Sequence, residues 1–280
     1  MAEGQPVGTV GHGVRTWAVW GWALMGLLSL CISLGLGGCA GAGSQDVRTA
    51  SDETETDKRA RVRMELAMAY FSRGQLPTAL DEVKQALVTK PDYPDALSLR
   101  GLIYGAMKEP ALAEESFKRA LSLNRRNPET LHNYGWFLCQ QKRYADADVQ
   151  FRQALTVPSY RELARTLLAQ GVCQARNRQW VEAEKTLSKA FEQDPANPAV
   201  SVNLSEVLYR RGDYERARFY VRRVNASEEQ VSAQSLWLAI RIERRLKQTM
   251  FVRVLGRQLS TQFAKSPEAQ LYEKGQFDDE

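Results

Sequence analysis

The side chains able to do chemistry are few. Four cysteines stand at 31, 39, 139 and 173, and beyond the N-terminal leader the chain holds one histidine, His132. A Ser–His–Asp arrangement would have to use His132, and no Gly-x-Ser-x-Gly elbow accompanies it. The sequence has no His-Glu-x-x-His, no Cys-x-x-Cys and no Gly-rich phosphate loop. Glu114 and Glu115 fall on adjacent helix positions, which do not face each other. The residues therefore supply no catalytic constellation, no metal site and no cofactor site, and the chain reads as a binding protein rather than an enzyme. His132 reads as a packing or groove-edge residue. Cys139 and Cys173 read as two small buried side chains or, in an oxidising compartment, as a disulfide that their spacing does not itself imply. Cys39 differs in its surroundings. It follows Arg15, an apolar run from Trp17 to Leu36, and Gly37-Gly38. A cation, an apolar run and then small residues are the order of a secretory signal.

The elements that position these residues come from a repeat. Ala79, Ala113 and Ala147 are spaced by 34, and so are Ala86, Ala120 and Ala154. Gly101 and Gly135 recur with them, as do Tyr70 and Tyr104. A fixed period of this length is a helical repeat. Each unit is two antiparallel helices, A and B. Small residues, Gly101 or Gly135 in A and Ala113 or Ala147 in B, let the pair approach closely. Gly74 and Gly212 fall at A-to-B turns. One pair cannot bury its apolar face alone, so pairs must stack into a solenoid.

Taken in order, repeats are expected at about 60–93, 94–127, 128–161, 164–197, 198–231 and 232–265. The next anchors, Ala183 and Ala190, lie 36 rather than 34 residues beyond Ala147 and Ala154, so two residues are inserted near 158–161. Ser205 replaces the helix A glycine of the fifth repeat. The sixth is degenerate, with Phe251, Leu255 and Leu259 as bulky residues of a terminal cap. Residues 39–57 are small, polar and acidic and read as a linker with a reach of roughly 20–25 Å. Asp57 is the expected N-cap of the first helix. The array is expected over 58–272 and a polar, acidic-ended tail over 273–280. A net charge of +5 is spread along helices, with no basic cluster interleaved with aromatics, and this argues against nucleic acid.

Three resemblances add to this reading. The repeat is similar to the tetratricopeptide repeat, which implies an all-α, right-handed α-solenoid of about six helix-turn-helix units. Leu36-Gly37-Gly38-Cys39 resembles the lipobox of bacterial lipoproteins. That likeness implies removal of residues 1–38, acylation of Cys39 and a lipid anchor in the membrane. Ala40, where aspartate would retain such a protein in the inner membrane, implies sorting to the outer membrane, facing the periplasm. The alternative for residues 17–36 is an uncleaved transmembrane helix, since twenty apolar residues can span a bilayer and Trp17, Trp20 and Trp22 cluster at one end. Either reading places the repeats beyond the inner membrane.

The third resemblance is narrower. Asn133-Tyr134-Gly135-Trp136-Phe137-Leu138, Ser235-Leu236-Trp237-Leu238-Ala239-Ile240-Arg241 and Ser266-Pro267-Glu268-Ala269-Gln270 are similar to the PilF/PilW pilotin family of type IV pilus biogenesis lipoproteins. This implies binding to secretin subunits and promotion of their targeting and multimerisation in the outer membrane. The competing expectation is a lipoprotein scaffold for β-barrel assembly or for peptidoglycan enzymes. In the tetratricopeptide pattern, helix A positions 2, 5, 9, 12 and 13 face an inner groove. Here they include Arg61, Met64, Met68, Phe71 and Ser72, then Leu102 and Ala106, then His132, Trp136 and Cys139. Met64, Met68, Phe71, Leu102, His132 and Trp136 are the expected partner-binding residues, with no small-molecule substrate. Met64 and Met68 stand where carboxylate-gripping relatives use Lys and Asn, so a carboxylate clamp is not expected in the first repeat.

Overall fold

A computed structural model of the 280-residue chain describes residues 53–277. The leader, the apolar run and Cys39 lie outside the described residues. Among the described residues all regular structure is helical. Six antiparallel pairs follow one another: α1 (Glu55–Ser72) with α2 (Leu76–Thr89), α3 (Pro94–Ala106) with α4 (Pro110–Leu123), and α5 (Pro128–Gln140) with α6 (Tyr144–Leu155). Then come α7 (Leu163–Arg176) with α8 (Trp180–Gln193), α9 (Pro198–Arg210) with α10 (Tyr214–Asn225), and α11 (Ala233–Arg245) with α12 (Thr249–Gln262). A short helix, α13 (Pro267–Glu273), closes the array.

Each helix A packs its backbone close to its own B, the preceding B and the next helix A, whereas successive B helices meet only through side chains, as Phe191 with Tyr220 at 5.1 Å and Glu184 with Arg216 at 2.8 Å. The A helices thus form a continuous inner layer and the B helices a splayed outer one. This packing makes the A face concave.

Local sequence sets the boundaries. Pro94, Pro128 and Pro198 open helices at N1, where a missing N–H costs nothing. The side chains of Asn127 and Asn197 accept hydrogen bonds from the first-turn amides of α5 and α9. Ser232 and Ser235 form a reciprocal capping box at α11. The first helix starts earlier than expected: its N-cap is Thr54, not Asp57. Asp57 sits one turn in, accepts a hydrogen bond from Thr54 and pairs with Lys90 at 2.6 Å. Thr54 wins the cap because its hydroxyl reaches the Asp57 amide at 3.1 Å.

The close approach of A and B is enforced by small residues. A Cβ at Gly101 would stand 2.8 Å from the Phe117 ring, one at Gly135 2.9 Å from Phe151, and one at Gly171 2.6 Å from Leu187 Cγ. Ala67 holds this place in the first repeat. In the fifth, buried Ser205 donates to the Ala217 carbonyl at 2.8 Å, so the polar substitute is satisfied. All six A-to-B turns contain one residue in the left-handed region, but only Gly74 and Gly212 are glycines. Lys108, Lys142, Arg178 and Lys247 hold the same conformation with φ near 60°.

The inserted residues after α6 fold inward. Tyr160 is buried, its hydroxyl 2.7 Å from Thr166 Oγ1, and Thr166 Oγ1 lies 2.8 Å from His132 Nδ1. Cys139 and Cys173 are joined in a disulfide, with their Cα atoms 5.8 Å apart. It staples α5 to α7 across the same joint. Cys139 lies four residues after Gly135, whereas Cys173 lies two after Gly171. Two residues turn a helix by about 200°, so the cysteines project from opposite faces and meet. Without the insertion they would occupy equivalent positions and point the same way.

The sixth repeat differs from expectation. It is offset by 35 residues, so Leu259, fully buried, takes the place of Val224, and Val252 rather than Phe251 takes that of Ala217. Phe251 is exposed on the outer face under Arg222. Nor does the chain run from there into a polar tail. Ser266 caps α13, Tyr272 fills the space left by Gly256, and Phe277 stacks on Trp237 at 5.5 Å. Leu236, Trp237, Ile240 and Leu259 would otherwise be an open end, and the amphipathic α13 covers them.

Candidate functional site: the concave groove

The inner layer of A helices encloses a groove of about 700 Å³ that runs from Phe71 in α1 to Asn203 in α9. Its floor is built by register. The residue after each small position points into the groove, so Leu102, Trp136 and Val172 follow Gly101, Gly135 and Gly171 and line it in turn. The residue three before the small position gives His132 and Leu168.

The expected site residues separate. Phe71, Leu102, His132 and Trp136 all line the groove, and Ala106 lies beside them. Met64 and Met68 do not line it. Met64 packs against the core of the first pair, while Met68 is 52% exposed beyond the groove's end. Among the described residues no repeat precedes the first helix, so they flank its inner face on one side only, and the enclosed volume begins at Phe71. Arg61 is held between Glu53 and Glu65. Cys139, expected at the groove, is buried in the disulfide instead. Cys39 lies outside the described residues. Val172, Leu168, Asn133, Asn203 and Arg165 also line the groove and were not anticipated. Val172 and Leu168 were findable, because they repeat the positions of Trp136 and His132 once the insertion is allowed for.

The electrostatics are mild. His132 is 6% exposed, and burial, then the nearby charge of Arg165, holds its pKa down at about 4. It presents a neutral ring at neutral pH. Arg165 pairs with Glu129 at 2.8 Å on the rim. The Arg176 guanidinium lies over the Trp136 ring at 4.9 Å, which fixes that indole as part of the wall. Outside the groove, Glu114 is drawn down to about 2, first by Lys118 and then by Arg143 and Tyr134, against its partial burial. In turn the Tyr134 hydroxyl is pushed up to about 12 by burial and by Glu114. These charges brace the α4–α5 pair from the outer side. The groove itself combines aromatic and aliphatic walls with the Asn133 and Asn203 amides. Such a lining can hold a peptide by apolar burial and by hydrogen bonds to its backbone.

A stack of helix pairs with an apolar inner groove defines a tetratricopeptide repeat protein, and comparison with known proteins agrees. Family models described as tetratricopeptide repeat match residues 94–127, 129–157 and 174–237, and one described as TPR repeat matches 67–108. The chain is 27% identical over 246 residues to the type IV pilus assembly protein PilF of Pseudomonas aeruginosa, covering 88% of this chain and 96% of PilF. The solved structure of Pseudomonas aeruginosa PilF superposes with a TM-score of 0.70 at 26% identity, over 80% of this chain and all of that one. The crystal structure of PilW, a type IV pilus biogenesis factor, superposes with a TM-score of 0.70 at 29% identity, over 75% of this chain and 96% of that one. The chain belongs to the tetratricopeptide repeat proteins, and within them it is homologous to PilF and PilW.

Proposed function

We propose that this chain is a type IV pilus biogenesis factor that acts as a pilotin. Anchored by lipid on Cys39 to the outer membrane and facing the periplasm, it binds secretin subunits in its concave groove and promotes their targeting and multimerisation. The observation that carries the reading is likeness along nearly the whole length of PilF rather than over isolated repeats. That stretch is 246 residues long in a chain of 280, so it begins no later than residue 35 and includes Cys39. Two features support the location. The Leu36-Gly37-Gly38-Cys39 sequence follows an apolar run, and the Cys139–Cys173 disulfide fits an oxidising compartment such as the periplasm. Two or three acyl chains would make the anchor stable, where one gives only marginal binding.

The test is membrane fractionation of secretin multimers in cells carrying wild type, no protein or Cys39→Ala. Loss of outer-membrane multimers on deletion, and their shift to the inner membrane in Cys39→Ala, is the expected pattern. Secretin unchanged in amount and place in both strains would refute the proposal.

A further inference from the structure

The outer layer of B helices changes chemistry along the array. Between them α2, α4, α6 and α8 hold nine acids and six bases, whereas α10 and α12 hold one acid, Glu215, and six arginines. The exposed residue two beyond the small position of each helix B reads Asp81, Glu115, Val149, Lys185, Phe219 and Val254. That row begins acidic and ends apolar. A terminal repeat keeps an array soluble by exposing polar residues. The last helix B does the opposite. Met250, Phe251 and Val254 of α12, like Phe219 of α10, are between 44% and 68% exposed.

Part of the positive charge is answered within the chain. Arg216 pairs with Glu184 and Asp213, Arg218 with Glu215, and Arg218 and Arg222 share Glu243. Arg223, Arg253 and Arg257 pair with no carboxylate among the described residues. Arginines and rings interleave across the helices. The Arg222 guanidinium lies over the Phe251 ring at 5.0 Å, and Arg223 lies 5.7 Å from the Phe191 ring and 5.9 Å from that of Phe219. These contacts join α8, α10 and α12 in one outward patch that is both cationic and apolar.

We infer that the outer face of α10 and α12 rests on an anionic phospholipid surface. This rests on the membrane anchoring proposed above, which keeps the array within a short linker of a bilayer. In a bilayer interface phosphates lie directly over acyl chains. Arginine stems run along apolar surface while their guanidinium groups meet phosphate, and Phe219, Met250, Phe251 and Val254 enter between the headgroups. Each cation close to an anionic bilayer strengthens binding about fivefold, so Arg223, Arg253 and Arg257 together supply on the order of a hundredfold. The anchor joins the array at α1 and the patch lies at its other end, so the bilayer holds both. Contact through B helices leaves the groove, which the A helices line, facing away from the membrane and open to a partner.

Photo-crosslinking of the full chain, reconstituted into vesicles of phosphatidylcholine alone or mixed with phosphatidylglycerol, tests this. The photoreactive residue is p-benzoylphenylalanine in place of Phe219, of Phe251 or, as a control on the outer side of the first repeat, of exposed Val88. Mass spectrometry then reads lipid adducts. With phosphatidylglycerol present, positions 219 and 251 should give roughly tenfold more adduct than position 88. That excess should fall in phosphatidylcholine alone and as salt is added. Arg223→Glu with Arg253→Glu and Arg257→Glu should abolish it while circular dichroism stays unchanged and the chain still floats with the vesicles. Equal adducts at 88 and 251 would mean that the anchor alone brings the array to lipid, and would refute the patch. Adducts indifferent to phosphatidylglycerol or to the arginine changes would refute it too. A chain that floats but gives no adduct overturns this inference and leaves the anchoring intact, whereas one that does not float overturns both. In irradiated cells, a crosslink from position 251 to protein in place of lipid would name a protein surface or a second copy as the occupant and also refute it.

Discussion

Lowering the pH from 7 to 4 should cost this protein stability through one side chain. His132 is the only histidine among the described residues. Its ring is buried between Phe151, 6.0 Å away and edge-on, and Thr166 Oγ1 at 2.8 Å from Nδ1. Burial and Arg165 lower its pKa from the ordinary 6.5 to about 4. Between those values the unfolded chain takes up a proton that the folded chain refuses. Stability is therefore intact above about pH 6.5, falls as the pH drops through the window, and levels off for this group below about 4. At about 1.4 kcal/mol per pH unit, the full window is worth about 3 kcal/mol. The drawing-down of Glu114 towards 2 acts lower, so the two transitions separate. The assay is a set of urea melts every half pH unit for wild type and His132→Gln. Wild type should lose stability steeply from pH 6.5 to 4.5, and the variant, less stable at pH 7, should be nearly flat there. Equal slopes would refute the reasoning, because they would mean that the folded ring binds its proton as freely as the unfolded one.

Further predictions concern the scaffold. Gly135→Leu should cost about 1–3 kcal/mol by forcing a side chain into the Phe151 ring, read as a lowered thermal midpoint. Gly171→Ala should also destabilise, opposite to the gain of about 1 kcal/mol expected at an open helix site, because the new Cβ meets Leu187 Cγ. Removing the disulfide with Cys139→Ser and Cys173→Ser should cost up to about 4 kcal/mol, from a cross-link between residues 34 apart. Reduced wild type should match that double variant in urea melts. Lys142→Gly, at φ 60°, should raise stability by up to about 1 kcal/mol, since glycine holds the left-handed turn without strain.

The fold was legible because the packing demands it. Close approach of A and B favours small residues, and through the first five repeats those recur every 34 positions, or 36 across the insertion, whatever the surface does. The two-residue insertion showed itself as a shift of Ala183 and Ala190, but not its consequence, the meeting of Cys139 and Cys173. That depends on which face each cysteine takes after the offset. Four of the left-handed turns were invisible, since Lys108, Lys142, Arg178 and Lys247 carry no glycine signal. Ser266-Pro267 was a readable helix start, but a seven-residue helix is too short to show a periodicity, so its apolar face went unread. Position alone predicted the groove's centre at Leu102, His132 and Trp136. Met64 and Met68 fall outside that enclosed volume, since among the described residues no earlier repeat supplies a second wall there.

The layering of the helices has a mechanical meaning. With A helices packed backbone to backbone and successive B helices joined only through side chains, the array is a beam whose resistance to bending sits mostly on its inner edge. Curling or straightening it moves the outer helices and strains only side-chain contacts between them, such as Phe191–Tyr220 and Glu184–Arg216. The Cys139–Cys173 cross-link lies on that inner edge, at one joint of five. It makes the third and fourth repeats a stiff segment, with two softer arms on either side. Tension applied at either end of the array would be taken up in the arms, and the groove around Trp136 would keep its shape under load.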